Sequence, residues 1–115
     1  MKVYGIPNCN TVKKARVWLE ERGLVYEFHD YKKQGVPEAL MQALLDSRGH
    51  ETLINRKGPT WRNLPDAVKA GVKDAASALP VMRANASVIK RPIVERDGDY
   101  LFGFDEAAYA DFFKP

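Results

Sequence analysis

The chain has 115 residues, the size of one ordinary domain, since two independent cores would each be very small. Hydrophobic residues at 45% and charged residues at 29% exclude a disordered chain, and no apolar run approaches the ~18 residues of a membrane span. The net charge of +3 comes from 18 basic and 15 acidic residues that alternate without a like-charge block, so nucleic-acid binding is not indicated.

Lys2–Ile6 predicts a short strand closed by Pro7 and Asn8. Val12, Ala15, Trp18, Leu19 and Arg22 recur at three- and four-residue spacing, which predicts a helix over Asn10–Arg22 stopped by Gly23. Val25–Asp30 alternates as a second strand. Val36-Pro37-Glu38 opens another helix, which carries Leu40, Ala43 and Leu44 and ends by Gly49. The polar stretch Glu51–Pro65 follows and holds Asn55-Arg56-Lys57-Gly58. Val68–Asn85 predicts one or two helices, broken near Gly71 or Pro80. Pro92–Arg96 and Asp99–Phe104 flank Asp97-Gly98, a strong hairpin signal. Asp105–Phe113 closes as a helix with Asp105 at its N-cap. The order predicts an α/β fold: a parallel βαβ unit, a helical insertion at roughly 36–88, and a C-terminal ββα unit. Together they complete a mixed four-stranded sheet within a single domain, 1–115.

Cys9 is the only cysteine, so an internal disulfide and a Cys-only metal site are both excluded. His29 and His50 stand at no metal-ligand spacing, and no metal or tightly bound cofactor is expected. The absence of a disulfide, and of an apolar stretch in the first ten residues, favours the reducing cytoplasm. Cys9 follows a strand and a Pro-Asn turn and precedes a helix. The first N–H groups of a helix lack intrahelical acceptors and carry partial positive charge, so they favour a thiolate or a bound oxyanion. Thr11 offers a hydroxyl donor, and Lys13 and Lys14 add positive field one turn on. Lowering a thiol pKa from ~8.5 to ~6 takes about 3.4 kcal/mol of differential stabilisation and makes the group mostly thiolate at neutral pH. The competing reading is a buried structural cysteine at a strand end. Val12 stands where a C-x-x-C motif would carry its resolving thiol, so disulfide chemistry here needs an external thiol, with glutathione the abundant candidate.

Three segments in order carry a family resemblance: Gly5-Ile6-Pro7-Asn8-Cys9-Asn10-Thr11-Val12-Lys13-Lys14-Ala15, Leu53-Ile54-Asn55-Arg56-Lys57-Gly58, and Ile89-Lys90-Arg91-Pro92-Ile93-Val94. They resemble the fingerprints of the arsenate reductase (ArsC)/Spx family, most closely its YffB-like branch of glutathione-dependent thiol reductases, over nearly the whole chain. The resemblance implies a thioredoxin-like fold, a Cys9 nucleophile, anion-binding Arg56 and Arg91, and a cis Pro92 that leaves the preceding backbone free for a peptide-like substrate. Asn10, Thr11 and Lys13 complete the expected anion site around Cys9. It further implies a monothiol reductase acting with glutathione as cosubstrate; separately, a monomer rather than an oligomer is expected, with no membrane as partner. Two alternatives stay open. One is a glutaredoxin-linked arsenate reductase, although Gly103 stands where such enzymes carry a third arginine. The other is a non-enzymatic regulator that, like Spx, contacts RNA polymerase, although Val12 departs from the C-x-x-C usual there.

Overall fold

A computed structural model describes residues 1–114. In chain order the elements are β1 (Lys2–Gly5), α1 (Asn10–Glu21), β2 (Glu27–Asp30), α2 (Tyr31–Gln34), α3 (Glu38–Arg48), α4 (His50–Leu53), α5 (Pro59–Arg62), α6 (Asp66–Gly71), α7 (Ala75–Ala84), β3 (Ile93–Arg96), β4 (Asp99–Phe102) and α8 (Glu106–Phe112). They form two compact units, Met1–Gln34 with Arg91–Pro115, and Gly35–Lys90.

The first unit holds a four-stranded mixed sheet of order β2-β1-β3-β4. β1 runs parallel to β2, with Val3 opposite Phe28, and antiparallel to β3, with Tyr4 opposite Ile93. β3 and β4 form the expected hairpin, in which Asp97 and Gly98 both take positive φ (51° and 83°), as a type I′ turn requires. α1 buries the predicted stripe of Val12, Ala15, Trp18 and Leu19. Gly23, at φ 69°, ends it with a paired closure: its N–H donates to the Glu20 carbonyl, and the Leu24 N–H reaches back to Leu19. Val3, Ala15, Trp18, Leu19, Val94 and Tyr109 form the core of this unit. Asp105 caps α8 by accepting from the Ala108 N–H at 3.1 Å.

Some boundaries differ from the sequence expectation. β2 begins at Glu27 rather than Val25, which is 88% exposed. Directly after it Asp30 accepts from the Lys32 N–H and Gln34 accepts from the Asp30 N–H, so a short helix closes where periodicity gave no sign of one.

The second unit is helical. α3 buries Met41, Leu44 and Leu45 and packs on α7, which buries Ala78 and Met82. The polar stretch 51–65 is not all loop: it contains most of α4 and the whole of α5, with Trp61 buried. Pro80 does not break α7 either. It is exposed, as is Ala76, so the carbonyl that loses its helical partner lies on the solvent side. The break falls at Val72–Asp74, directly after Gly71 as the sequence also offered, where Asp74 and Ser77 form a reciprocal capping box. Ile54 and Ile89 make an isolated antiparallel bridge flanked by two backbone bonds, Asn55 N–H to Val88 O at 2.8 Å and Lys90 N–H to Leu53 O at 2.7 Å. Among the described residues no helix is long and apolar enough to cross a membrane.

Candidate active site

Cys9 owes its position to the turn before it. Pro7 and Asn8 are the central residues of a β-turn closed by the Cys9 N–H donating to the Ile6 carbonyl at 3.2 Å. Cys9 itself is extended (φ −100°, ψ 128°) and serves as the N-cap of α1, its carbonyl accepting the first helical bond from the Lys13 N–H at 2.9 Å. The half-buried thiol therefore sits over the open donors of the first turn.

Partial burial pushes the Cys9 thiol up, but the opposing groups win and its pKa falls below the ordinary value. They are the Val12 N–H, the charge and hydrogen bonding of the Arg91 guanidinium, and the Thr11 N–H. The Val12 N–H is the largest of the lowering groups, and Arg91 adds a full charge and a hydrogen bond to it. The charge thus comes from a different place than the sequence suggested. Lys13 and Lys14 are exposed and are not among the groups that shift Cys9. Solvent screens such ammonium groups. Likewise Thr11 acts through its backbone N–H, with no hydrogen bond from its hydroxyl to the sulfur among the described residues. Asn10 is exposed at the first position of α1.

Arg91 reaches the sulfur because the sheet end is pared back. A Cβ on Gly5, the last residue of β1, would lie 3.0 Å from Val12 Cγ2 and 3.9 Å from Arg91 Cβ. Glycine there lets the first turn of α1 approach the strand beside Arg91, the close backbone approach that a glycine in a strand often marks. The Arg91–Pro92 peptide is cis, as expected. The Pro92 carbonyl accepts from the Gly103 N–H at 2.8 Å, and the Gly103 carbonyl accepts from the buried Tyr109 hydroxyl at 2.6 Å. Gly103 thus has a structural task of its own, at φ 82°.

Arg56 belongs to the second unit. Its Nη2 lies 2.9 Å from His50 Nδ1, and its guanidinium carbon stands 5.0 Å from the centre of the buried Trp61 ring. Asn55 Oδ1 accepts from the Lys57 N–H, and a Cβ on Gly58 would fall 2.9 Å from Asn55 Nδ2, so a side chain there would have to displace the Asn55 amide. Arg56, Lys57 and Lys90 line a cleft of about 400 Å³.

Two residues of the first unit escaped the sequence reading. Gly5 was visible as a glycine at a strand end but had no assigned role. Tyr31 is 3% exposed, feels the charge of Arg91, and has a buried hydroxyl with no hydrogen-bond partner among the described residues. An aromatic residue directly after a short strand carries no signal for that. No group of three or more metal-ligating side chains exists among the described residues.

Comparison with known proteins agrees with this fold. A family model described as the ArsC family matches residues 4–112. An uncharacterized protein of Haemophilus influenzae is 41% identical over 107 residues, covering 93% of this chain and 93% of that one. The solved structure of a YFFB protein superposes with a TM-score of 0.89 at 44% identity, covering 96% of each chain. That of an arsenate reductase (ArsC) related protein from Brucella melitensis gives a TM-score of 0.76 at 48% identity, covering 99% of this chain and 94% of that one.

Proposed function

This chain belongs to the ArsC family, and from that premise we propose that it is a thiol reductase working through one cysteine, with glutathione supplying the second thiol. Membership supports oxidoreductase chemistry in general. The observation that carries the finer reading is the Arg91 guanidinium beside the helix-capping sulfur of the only cysteine in the chain. A cation and two oriented N–H groups favour the thiolate, which is the form that attacks.

The exchange proceeds in two displacements. The Cys9 thiolate attacks the glutathione sulfur of a mixed disulfide R–S–S–G. The Cys9–S–S–G bond forms as the S–S bond between the glutathione sulfur and the R sulfur breaks, and the released R–S⁻ takes a proton from water. A second glutathione, as thiolate, attacks the glutathione sulfur on Cys9. Glutathione disulfide leaves, and Cys9 departs as the thiolate that Arg91 and the helix donors stabilise. Net, R–S–S–G and one glutathione thiolate become R–S⁻ and glutathione disulfide: the R sulfur is reduced at the expense of the attacking glutathione, and the glutathione that came with the substrate stays at the disulfide level. A low thiol pKa assists the second step most, because a better leaving thiolate departs faster. Arg91 also suits a carboxylate of the bound glutathione, since a guanidinium presents paired donors. Arg56 is proposed as a further anion-binding cation, on the family resemblance.

Mass spectrometry after incubation with glutathione disulfide tests the reading. The wild type should gain one glutathione and Cys9→Ser none, and the alkylation rate of Cys9 should reach its midpoint well below pH ~8.5. Absence of the adduct on Cys9 would remove the mechanism.

A further inference from the structure

α1 carries a surface that the exchange at Cys9 leaves unused. Cys9, Lys13, Val17 and Glu21 are spaced four residues apart, so they form one ridge running away from the sulfur. Val17 is 53% exposed. A β-branched residue is a poor choice for an exposed helix position, where Lys, Glu or Ala would stabilise the helix more. Beside this ridge runs a cleft of about 530 Å³, walled on one side by Lys13, Lys14, Val17 and Glu21, with Trp18 among its lining and Phe104 and Glu106 as the other wall. The apolar lining is held rigidly. Trp18 and Phe104 both meet the Tyr109 ring edge-on, at 5.5 and 4.9 Å between centroids, and Tyr109 is locked by its bond to the Gly103 carbonyl. Among the described residues, Lys13, Lys14, Glu21 and Glu106 take part in no ion pair.

We propose that this groove receives the polypeptide flanking the reacting sulfur, so that the substrate of Cys9 is a glutathione-capped cysteine in a protein rather than a small disulfide. The proposal rests on the monothiol reading and names its substrate class. Distance sets the expected sequence of the partner. Eight residues of helix separate Cys9 from Val17, about 12 Å at 1.5 Å per residue. An extended chain covers that in about four residues. The partner thus carries an apolar side chain about four residues from its cysteine, to meet Val17 and Phe104. Charge sets the remainder. The two lysines lie between Cys9 and Val17 and Glu21 lies beyond, so a carboxylate sits close to the partner's cysteine and a basic residue past its apolar anchor. In the first displacement this partner is the R–S⁻ that leaves, held along α1 while the glutathione remains on Cys9.

Two substrates test it. One is a glutathionylated peptide with an acidic residue next to its cysteine and Leu four residues away, made with Leu on either side and with Ala in its place. The other is the mixed disulfide of glutathione with 2-mercaptoethanol. The Leu peptide should be reduced with a kcat/KM about five-fold above the Ala peptide, the effect of burying part of an apolar side chain. Val17→Ser should erase that ratio, Val17→Leu should keep it, and the small disulfide should react equally with all three proteins. Turnover of the small disulfide with no preference for Leu, or a preference that survives Val17→Ser, overturns the groove proposal alone. Turnover of neither substrate overturns the monothiol reading, and this proposal with it.

Discussion

Arg91 and Arg56 are each held by a neighbour, and the neighbours differ in kind. Arg91 lies against the Cys9 sulfur and lowers its pKa. Arg56, in the helical unit, lies over the ring of Trp61 and donates to His50 Nδ1. A guanidinium beside a thiolate has part of its charge neutralised and in return changes the chemistry of the sulfur. A guanidinium beside an imidazole and an indole keeps its full charge. Both arginines fit anion binding on sequence grounds, and Arg91 is the one of the two that stands among the groups lowering the Cys9 pKa.

The widest separation between them should come from truncation. Arg91→Ala should slow glutathionylation of Cys9 by about ten-fold or more and raise the alkylation midpoint toward ~8.5, because a charged hydrogen bond of ~1.5–3 kcal/mol is lost. Arg91→Lys should restore only part of the rate, lacking the paired donors. Arg56→Ala should leave the midpoint unchanged. The same shift fixes the sign of a stability effect. The folded pKa of Cys9 lies below its unfolded value, so between the two the unfolded chain binds more protons and stability rises with pH. This gain is fully present above the ordinary thiol pKa and is lost as pH falls through the folded one. Arg91→Ala should flatten it and Arg56→Ala should not. An equal midpoint shift in both variants would end the distinction.

Adding a cation should do less than removing one. In the family resemblance Gly103 stands where arsenate reductases of the glutaredoxin-linked type have a third arginine. Here that residue has φ 82° and a backbone bonded to both Pro92 and Tyr109. Gly103→Arg should therefore destabilise the fold by about 1–2 kcal/mol in urea unfolding, the cost of a side chain in the left-handed region. It should bring no gain in arsenate reduction with glutathione and glutaredoxin present, and the wild type should show little or none. An undiminished unfolding midpoint together with new arsenate turnover would reverse this.

Legibility followed the range of the interactions. The α1 stripe, the Asp97-Gly98 hairpin and the Asp105 cap are written in residues a few positions apart, and all three stand as the pattern predicts. The source of charge at Cys9 was misread because neighbours in sequence, Lys13 and Lys14, look closer than Arg91, which the antiparallel pairing of β1 with β3 brings back from 82 residues away. Of the two breaks the sequence offered, the one near Gly71 stands and the one at Pro80 does not, because the cost of a missing N–H depends on whether the freed carbonyl meets water, and exposure is not in the pattern. Gly5 could be seen as a strand-end glycine, but what it makes room for requires knowing where Val12 and Arg91 go.

The smallest expected effect concerns Tyr31, which bears on Arg91 from inside the same unit. Its ring is buried, and its hydroxyl has no hydrogen-bond partner among the described residues. Burial pushes the phenol pKa far up, and the nearby Tyr4 adds to this against the pull of Arg91, so the group stays neutral throughout the working pH range. A buried hydroxyl without a partner has lost its water and gained nothing in exchange. Tyr31→Phe removes that cost while keeping the ring and its packing, so the variant should be about 1 kcal/mol more stable in urea unfolding. Its glutathionylation rate should equal that of the wild type, since Tyr31 is not among the groups that shift Cys9. A stability gain with unchanged rate leaves Arg91 as the only side chain that tunes the sulfur. A loss of rate without a gain in stability would mean that the hydroxyl binds the incoming substrate, and the contrast between Arg91 and Arg56 would then have to include Tyr31 on the side of Arg91.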